Sequence, residues 1–102
     1  NAKMKPSFIL TSKAALDIEL LYEDGLLKFG RSIADQYIHE LKTILTLIAE
    51  NPQIARVRHE ITPPARVHPF NAHVIVYTLN DGNLPLILGV KSAKSAWIDD
   101  RY

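Results

Sequence analysis

The side chains best suited to chemistry in this sequence are cations, and they concentrate in its C-terminal half. Between Ala55 and Ile98 there are five basic residues and two acidic ones, a local balance of +3. The residues before Ala55 have a balance of −1. Such a positive field suits an acidic partner or a phosphate group, although charge alone favours an ordinary solvated surface by roughly two to one. The cations are Arg56, Arg58, Arg66, Lys91 and Lys94.

The histidines do not have the spacing of a metal site. They occur at His39, His59, His68 and His73, without the His-x-x-x-His spacing of a helical zinc site and without any cysteine. We therefore expect no metal ion, and we interpret His73 as a structural residue at the turn into its strand. Ser92 and Ser95 lack a motif that activates a serine nucleophile, and four glycines form no phosphate-binding loop. No catalytic residue and no cofactor are predicted.

Composition limits the fold to one small domain. The chain has 102 residues, of which 47% are hydrophobic and 23% charged, so we predict a single domain over residues 1–102. The lack of cysteine makes a reducing cytoplasm the natural compartment, and no stretch has the apolar length of a membrane span. Met4 is expected to be the native start, residues 1–3 a remnant of cloning, and residues 98–102 a flexible tail.

The N-terminal half predicts a strand and two helices. Phe8-Ile9-Leu10 is a short apolar run, and Thr11 or Ser12 can cap the helix that follows. A capping box at Ser32 to Asp35 predicts a second helix from Ser32 to Glu50, which Pro52 ends. The first helix has an apolar stripe at Ala14, Ile18, Leu21, Tyr22, Gly25 and Phe29, and the second at Ala34, Tyr37, Ile38, Leu41, Ile44, Leu45 and Ile48.

The C-terminal half predicts an antiparallel meander. Its strands are Arg66 to Phe70, His73 to Thr78 and Leu84 to Val90, separated by turns at residues 71–72 and 80–83. The short link between the helices requires an antiparallel hairpin, whose apolar stripes must pack on this sheet. The fold class is therefore α+β, with an N-terminal strand and a two-helix hairpin packed on a small antiparallel sheet.

Both faces of this sheet are apolar, although the hairpin can cover only one. In the strand that begins at His73, Val74 and Val76 share the face opposite to Ile75 and Tyr77. In the last strand, Ile87 lies on the face opposite to Leu86 and Leu88. The uncovered face is expected to be a partner-binding groove, with candidate residues Val74, Val76 and Ile87. The alternatives are that loop 53–65 or the C-terminal tail folds over that face, or that the chain dimerises through it.

One ordered series of short motifs resembles the ParE-type toxins of the RelE/ParE superfamily of bacterial toxin-antitoxin modules. Members of that family read Leu-Ala-Glu-Asn-Pro, Gly-Arg-x-Arg-x-Glu, Arg-x-x-Pro and His-x-Ile-x-Tyr in this order. The corresponding runs here are Leu47 to Pro52, Ala55 to Ile61, Arg66 to Pro69 and His73 to Tyr77. Each motif is short, so the order makes the resemblance specific. It extends from about Phe8 to Trp97 and implies the same α+β fold.

The resemblance implies a function and partners. A ParE-type toxin belongs to a type II toxin-antitoxin pair, inhibits DNA gyrase and so DNA replication, and is neutralised by a cognate ParD-like antitoxin. It would act by binding and not as an enzyme, without sequence-specific nucleic-acid binding. The expected antitoxin segment is acidic and amphipathic. The resemblance implies target action in the C-terminal segment, so the candidates are Lys91, Lys94 and Trp97, together with the cations Arg56, Arg58 and Arg66.

The C-terminal segment departs from the family pattern. Family members commonly end with Val-Leu-His-Gly-Arg-Met-Asp-Trp, whereas this chain has Ser92 and Ala96 at the histidine and aspartate positions. This leaves two alternatives open, a degenerate non-toxic member and a ribosome-dependent mRNA interferase of the RelE type. An interferase needs cations for phosphate charge and a base or orienting group, for which Tyr102 is the candidate. Asp99 and Asp100 beside it would repel RNA.

Overall fold

The computed structural model describes residues 7–94, and the α+β fold predicted from the sequence is confirmed. Two helices pack on one five-stranded sheet of order β1-β5-β4-β3-β2. The expectations for residues 1–3 and 98–102, and for Trp97 and Tyr102, lie outside the described range. The elements are β1 Ile9–Leu10, α1 Ser12–Phe29, α2 Arg31–Glu50, β2 Val57–Arg58, β3 Ala65–Phe70, β4 His73–Leu79, a 3-10 turn Asp81–Asn83 and β5 Pro85–Ser92.

The predicted meander of β3, β4 and β5 is present, and two short strands extend it. β1 pairs in parallel with β5 at Leu86 and Ile87, which makes the sheet mixed. β2 pairs antiparallel with β3 at the other edge. The sequence did not predict β2, because a two-residue strand has too few positions to show alternation.

The helix ends depend on local backbone chemistry. The Thr11 hydroxyl accepts a hydrogen bond from the Ala14 N–H at 3.0 Å and caps α1, as predicted. The capping box predicted at Ser32 is wrong. Gly30, with φ +88°, reverses the chain directly after Phe29, and its carbonyl already accepts the Ala34 N–H at 3.1 Å. Gly30 is therefore the N-cap of α2 and Ser32 lies inside the helix.

Two apolar clusters lie on opposite sides of the sheet. The cluster under the helices contains Ala14, Leu41, Leu45, Ile48, Ala55, Phe70, Ile75, Tyr77, Ile87 and Val90. Phe29 was predicted to join it but is 62% exposed, because the chain reverses at the adjacent Gly30. The Tyr77 hydroxyl donates to the Pro52 carbonyl at 2.8 Å, which ties the end of α2 to the sheet.

The second cluster covers the face that was expected to be open. Ile61, in the loop between β2 and β3, packs on Ala65, Val67 and Val76, and both Ile61 and Val76 are almost fully buried. The alternative in which loop 53–65 folds over that face is therefore the observed one. Val74, in the same cluster, is only partly buried.

Candidate functional site

Most of the exposed large apolar side chains of residues 7–94 lie on the helices, although Ile9 and Leu10 of β1 are exposed as well. Leu16, Leu20 and Leu27 of α1 are 51%, 53% and 88% exposed. Their spacing of four and seven residues places them on one side of the helix, away from the buried Ala14. We call these three residues the outer leucine stripe. Three exposed leucines on the same side of one helix are typical of a surface that a partner covers.

The rim of this stripe is acidic. Asp24 forms an ion pair with Lys28 at 3.1 Å, whereas the carboxylate of Asp17 lies toward β5, near Lys91, and is not part of this rim. Within residues 7–94, Glu19 and Glu23 are exposed and have no salt-bridge partner. A helix that covered the stripe would therefore meet two uncompensated carboxylates, and basic residues on it would be favoured there.

An apolar pocket opens between the two helices near Gly30. It encloses about 350 Å³. Phe29 and Ile33, 62% and 55% exposed, form part of its lining, and Leu21 and Ile38 are also among the lining residues. The helices approach closely at Gly25, where a Cβ would contact the Cβ of Ala34 at 3.4 Å. The pocket could hold one large apolar side chain of a partner.

A hydrogen-bonded pair forms the polar part of this pocket. The Tyr37 hydroxyl and His73 Nδ1 are 2.7 Å apart. The Tyr37 ring also packs on Phe70, with 4.8 Å between the ring centroids. Burial lowers the pKa of His73 below its ordinary value, against the opposing effect of Asp24. Burial also raises the pKa of Tyr37. Both shifts favour the neutral forms, in which one group donates to the other.

We expect His73 to make the protein less stable in acid. Because the pKa of His73 is lower in the folded state, the unfolded chain binds the extra proton first. The free energy of unfolding should fall as pH decreases through about 6.5, the unfolded value, toward the lower folded pKa. His73→Gln should reduce this fall between about pH 7 and about pH 5 in urea unfolding. His39→Gln, at an exposed position of α2, is the matched control. Identical pH profiles for His73→Gln and wild type would contradict the expectation.

The three predicted arginines lie around β2 and β3, and their guanidinium groups contact the protein itself. Arg66 donates to the Ala55 carbonyl and is half-buried. Arg58 lies 3.9 Å from Glu60. Arg56 is exposed and donates to the Val57 carbonyl at 3.4 Å. Arg56 is therefore the most accessible of the three, and Arg66 has a structural role in holding the segment after α2.

The two predicted lysines lie at the end of β5, away from the arginines. Lys91 is only 16% exposed and lies 3.4 Å from the Asp17 carboxylate of α1. Burial lowers the pKa of Lys91, and Lys13 acts in the same direction, against the opposing effect of Asp17. Lys94 is exposed in the turn after β5. Of the two lysines, the structure leaves only Lys94 open to a partner.

The candidate antitoxin-binding residues are largely inaccessible. Val76 and Ile87 are both 0% exposed. The expectation that they line an open groove is corrected, because Ile61 covers Val76 and the helices cover Ile87. Val74 is partly exposed and stays a prediction.

The sequence contained a signal for the surface that was missed. Leu16, Leu20 and Leu27 repeat at helical spacing on the side opposite the core stripe, so α1 has two apolar sides. A surface helix normally has one. The role of Asp17 had no comparable signal, because its partners Val90 and Lys91 lie more than 70 residues away in sequence.

Within residues 7–94, no three histidine, cysteine, aspartate or glutamate side chains are grouped to hold a metal ion. In the same range, no helix has the length and apolarity to cross a membrane.

Comparison with known proteins gives concordant results. The sequence profile of the family described as ParE toxin of type II toxin-antitoxin system, parDE, matches residues 8–97. Toxin ParE1 of Mycobacterium tuberculosis, in strains CDC 1551 / Oshkosh and ATCC 25618 / H37Rv, is 26% identical over 85 residues, which cover 82% of this chain and 87% of the relative. A chain of the chromosomal ParDE TA system from P. aeruginosa has the same fold, with a TM-score of 0.73 at 17% identity, covering 86% of this chain and 96% of that chain.

Proposed function

Because the chain belongs to the ParE toxin family of type II toxin-antitoxin systems, we propose that it inhibits DNA gyrase by binding, and so blocks DNA replication. A cognate ParD-like antitoxin neutralises it. The proposed action takes place in the cytoplasm, where gyrase and DNA are found, and requires no cofactor and no chemical step by this chain.

The outer leucine stripe is the observation that carries the antitoxin part of this proposal. Three leucines at least half exposed on one side of α1 are costly to leave in water, at about 25 cal/mol for each Å² of apolar surface. An amphipathic helix from an antitoxin would cover the stripe with its own apolar side. The pocket beside Phe29 and Ile33 would receive a large apolar side chain of the same partner.

The charge of the antitoxin segment expected at this surface differs from the acidic one that the sequence suggested. The local positive balance is distributed over the sheet, whereas the rim of the stripe contains Glu19 and Glu23. We therefore propose basic residues on the part of the antitoxin that lies over α1. Acidic residues would suit the exposed Arg56 and Lys94 instead.

The environment of the cations supports a protein target over RNA. Cleavage of RNA requires cations that are free to meet the developing phosphate charge. Here Arg66 is bonded to a carbonyl, Arg58 lies close to Glu60 and Lys91 is paired with Asp17. These contacts occupy three of the five cations, which supports a protein target, and membership of the ParE family directs the proposal to gyrase.

Two parallel assays test the proposal. The purified chain should inhibit supercoiling by gyrase, and it should leave messenger RNA on translating ribosomes intact. Both are needed because the superfamily fold serves both activities. Defined cuts in ribosome-bound message that disappear with Tyr102→Phe would contradict the gyrase proposal. Inactivity of a folded chain in both assays would contradict it as well, and would identify a degenerate toxin.

A further inference from the structure

We propose that Asp17 is a positioning residue for target binding, and that Lys91 is a tether held by Asp17 and not a contact with the target. Together they fix the end of β5, from which the chain continues toward Lys94 and Trp97. This inference rests on the proposed function, because it concerns the segment expected to contact gyrase.

The backbone at the end of β5 needs a partner on the side of α1. β1 pairs with β5 only at Leu86 and Ile87, so within residues 7–94 no strand covers the later part of that edge. The Val90 N–H donates instead to Oδ2 of Asp17 at 3.0 Å. The carboxylate thus replaces a neighbouring strand and satisfies a backbone donor that is largely removed from water.

The same carboxylate also holds the side chain of Lys91. Oδ2 of Asp17 lies 3.4 Å from Nζ of Lys91, and the two side chains are only 15% and 16% exposed. Lys13, one turn earlier on α1, lies 3.9 Å from Oδ1. The carboxylate of Asp17 therefore lies between two lysines, and its negative charge offsets their mutual repulsion.

Gly89 makes this arrangement possible. A Cβ at position 89 would lie 3.0 Å from Oδ2 of Asp17 and 3.0 Å from Cε of Lys91. Both distances are tighter than ordinary contacts, so a side chain here would require the carboxylate and the lysine to shift by a few tenths of an ångström. The absence of a side chain lets α1 approach β5 closely enough for Asp17 to reach Val90.

The chain leaves the sheet shortly after Val90 and Lys91, the two residues that Asp17 contacts. Lys91 and Ser92 still pair with Val74 and His73 of β4, and the Ala93 N–H donates to the Ala72 carbonyl at 2.9 Å. The turn that exposes Lys94 begins there. A shift at Lys91 therefore changes the direction in which the following segment leaves the sheet.

Asp17→Asn tests the positioning role. The amide oxygen can still accept the Val90 N–H, but Lys13 and Lys91 lose the negative charge between them. We expect the concentration needed for half-inhibition of gyrase to rise by about tenfold or more, because a displaced exit misplaces the target-binding segment. Antitoxin affinity should stay within about threefold of wild type, because the outer leucine stripe is not displaced.

The double variant Asp17→Asn with Lys91→Gln distinguishes a tether from a contact. It removes one of the two facing lysines and leaves a neutral amide pair, so the repulsion disappears and β5 keeps its exit. Gyrase inhibition should return to within about threefold of wild type although residue 91 has no charge. A folded double variant with wild-type antitoxin affinity and no inhibition would overturn the proposal and make Lys91 a contact. Lys94→Gln is the matched control, and it should weaken inhibition without changing the melting temperature.

Three further outcomes can be distinguished. If Asp17→Asn is folded and inhibits gyrase as wild type does, the positioning role is overturned. If Asp17→Asn does not fold, the double variant alone decides by the criterion above. If the wild-type chain fails to inhibit gyrase, the proposed function fails, and hydrogen exchange still tests the tether. In that case, the Val90 amide should be protected in wild type and exchange faster in Asp17→Ala, whereas equal exchange would overturn the tether.

Discussion

Val76→Asp is expected to abolish the folded state. The side chain of Val76 is 0% exposed and packs against Ile61, Ala65 and Val67, none of which offers a hydrogen bond. Burying a polar group without a partner costs roughly 2–7 kcal/mol, and an isolated charge costs more. The whole stability of a domain of this size is about 5–15 kcal/mol. Circular dichroism should therefore show an unfolded or strongly destabilised chain.

Val74→Asp is the matched control for this substitution. Val74 lies on the same strand and contacts the same cluster, but its side chain is partly exposed, so the carboxylate can reach water. This variant should stay folded. A cooperative Val76→Asp variant with the urea midpoint of wild type would mean that the loop containing Ile61 does not cover this face in solution. The sheet would then present the open groove that the sequence suggested.

Leu20→Glu combined with Leu27→Glu is expected to reduce antitoxin affinity by about a hundredfold or more. Covering each leucine is worth about 1.5–3 kcal/mol at full burial, and each 1.4 kcal/mol is tenfold in affinity. The new carboxylates also add to Glu19 and Glu23. The melting temperature should change little, because these side chains are 53% and 88% exposed in the free chain. Isothermal titration calorimetry measures the affinity directly.

Ile54→Glu serves as the control for this pair. Ile54 is 45% exposed, like the leucines, but it lies after α2 and outside the stripe. Its replacement should leave antitoxin binding within about threefold of wild type. Wild-type affinity for the double leucine variant would remove α1 from the interface and return attention to Val74 on the sheet.

The sequence predicted those features that arise from local chemistry. Thr11 caps α1 because its hydroxyl reaches the Ala14 N–H, and Pro52 ends α2 because it has no N–H to continue the helix. β4 was predicted because its consecutive side chains alternate between the two faces of the sheet. Each of these features depends on neighbours within a few residues, which a sequence displays directly.

The missed features depend on contacts between distant segments. Ile61 lies in a loop with no periodicity, so the sequence around it does not indicate that it packs on Val76. Lys91 was predicted to be a free cation because its partner, Asp17, lies far away in the sequence, on α1. The capping box prediction was wrong because Gly30 is the N-cap, two residues before Ser32. Local patterns therefore located the elements, while tertiary contacts decided which side chains are available to a partner.

The most direct test of the central claim is a supercoiling assay in which the antitoxin is titrated against the chain and gyrase. The account predicts that the chain alone inhibits supercoiling and that a cognate antitoxin restores it at about one equivalent. It also predicts that the variant with Leu20→Glu and Leu27→Glu inhibits gyrase as wild type does, but is not relieved by the same amount of antitoxin. Supercoiling unaffected by the folded wild-type chain would contradict the claim that it is a gyrase-binding toxin.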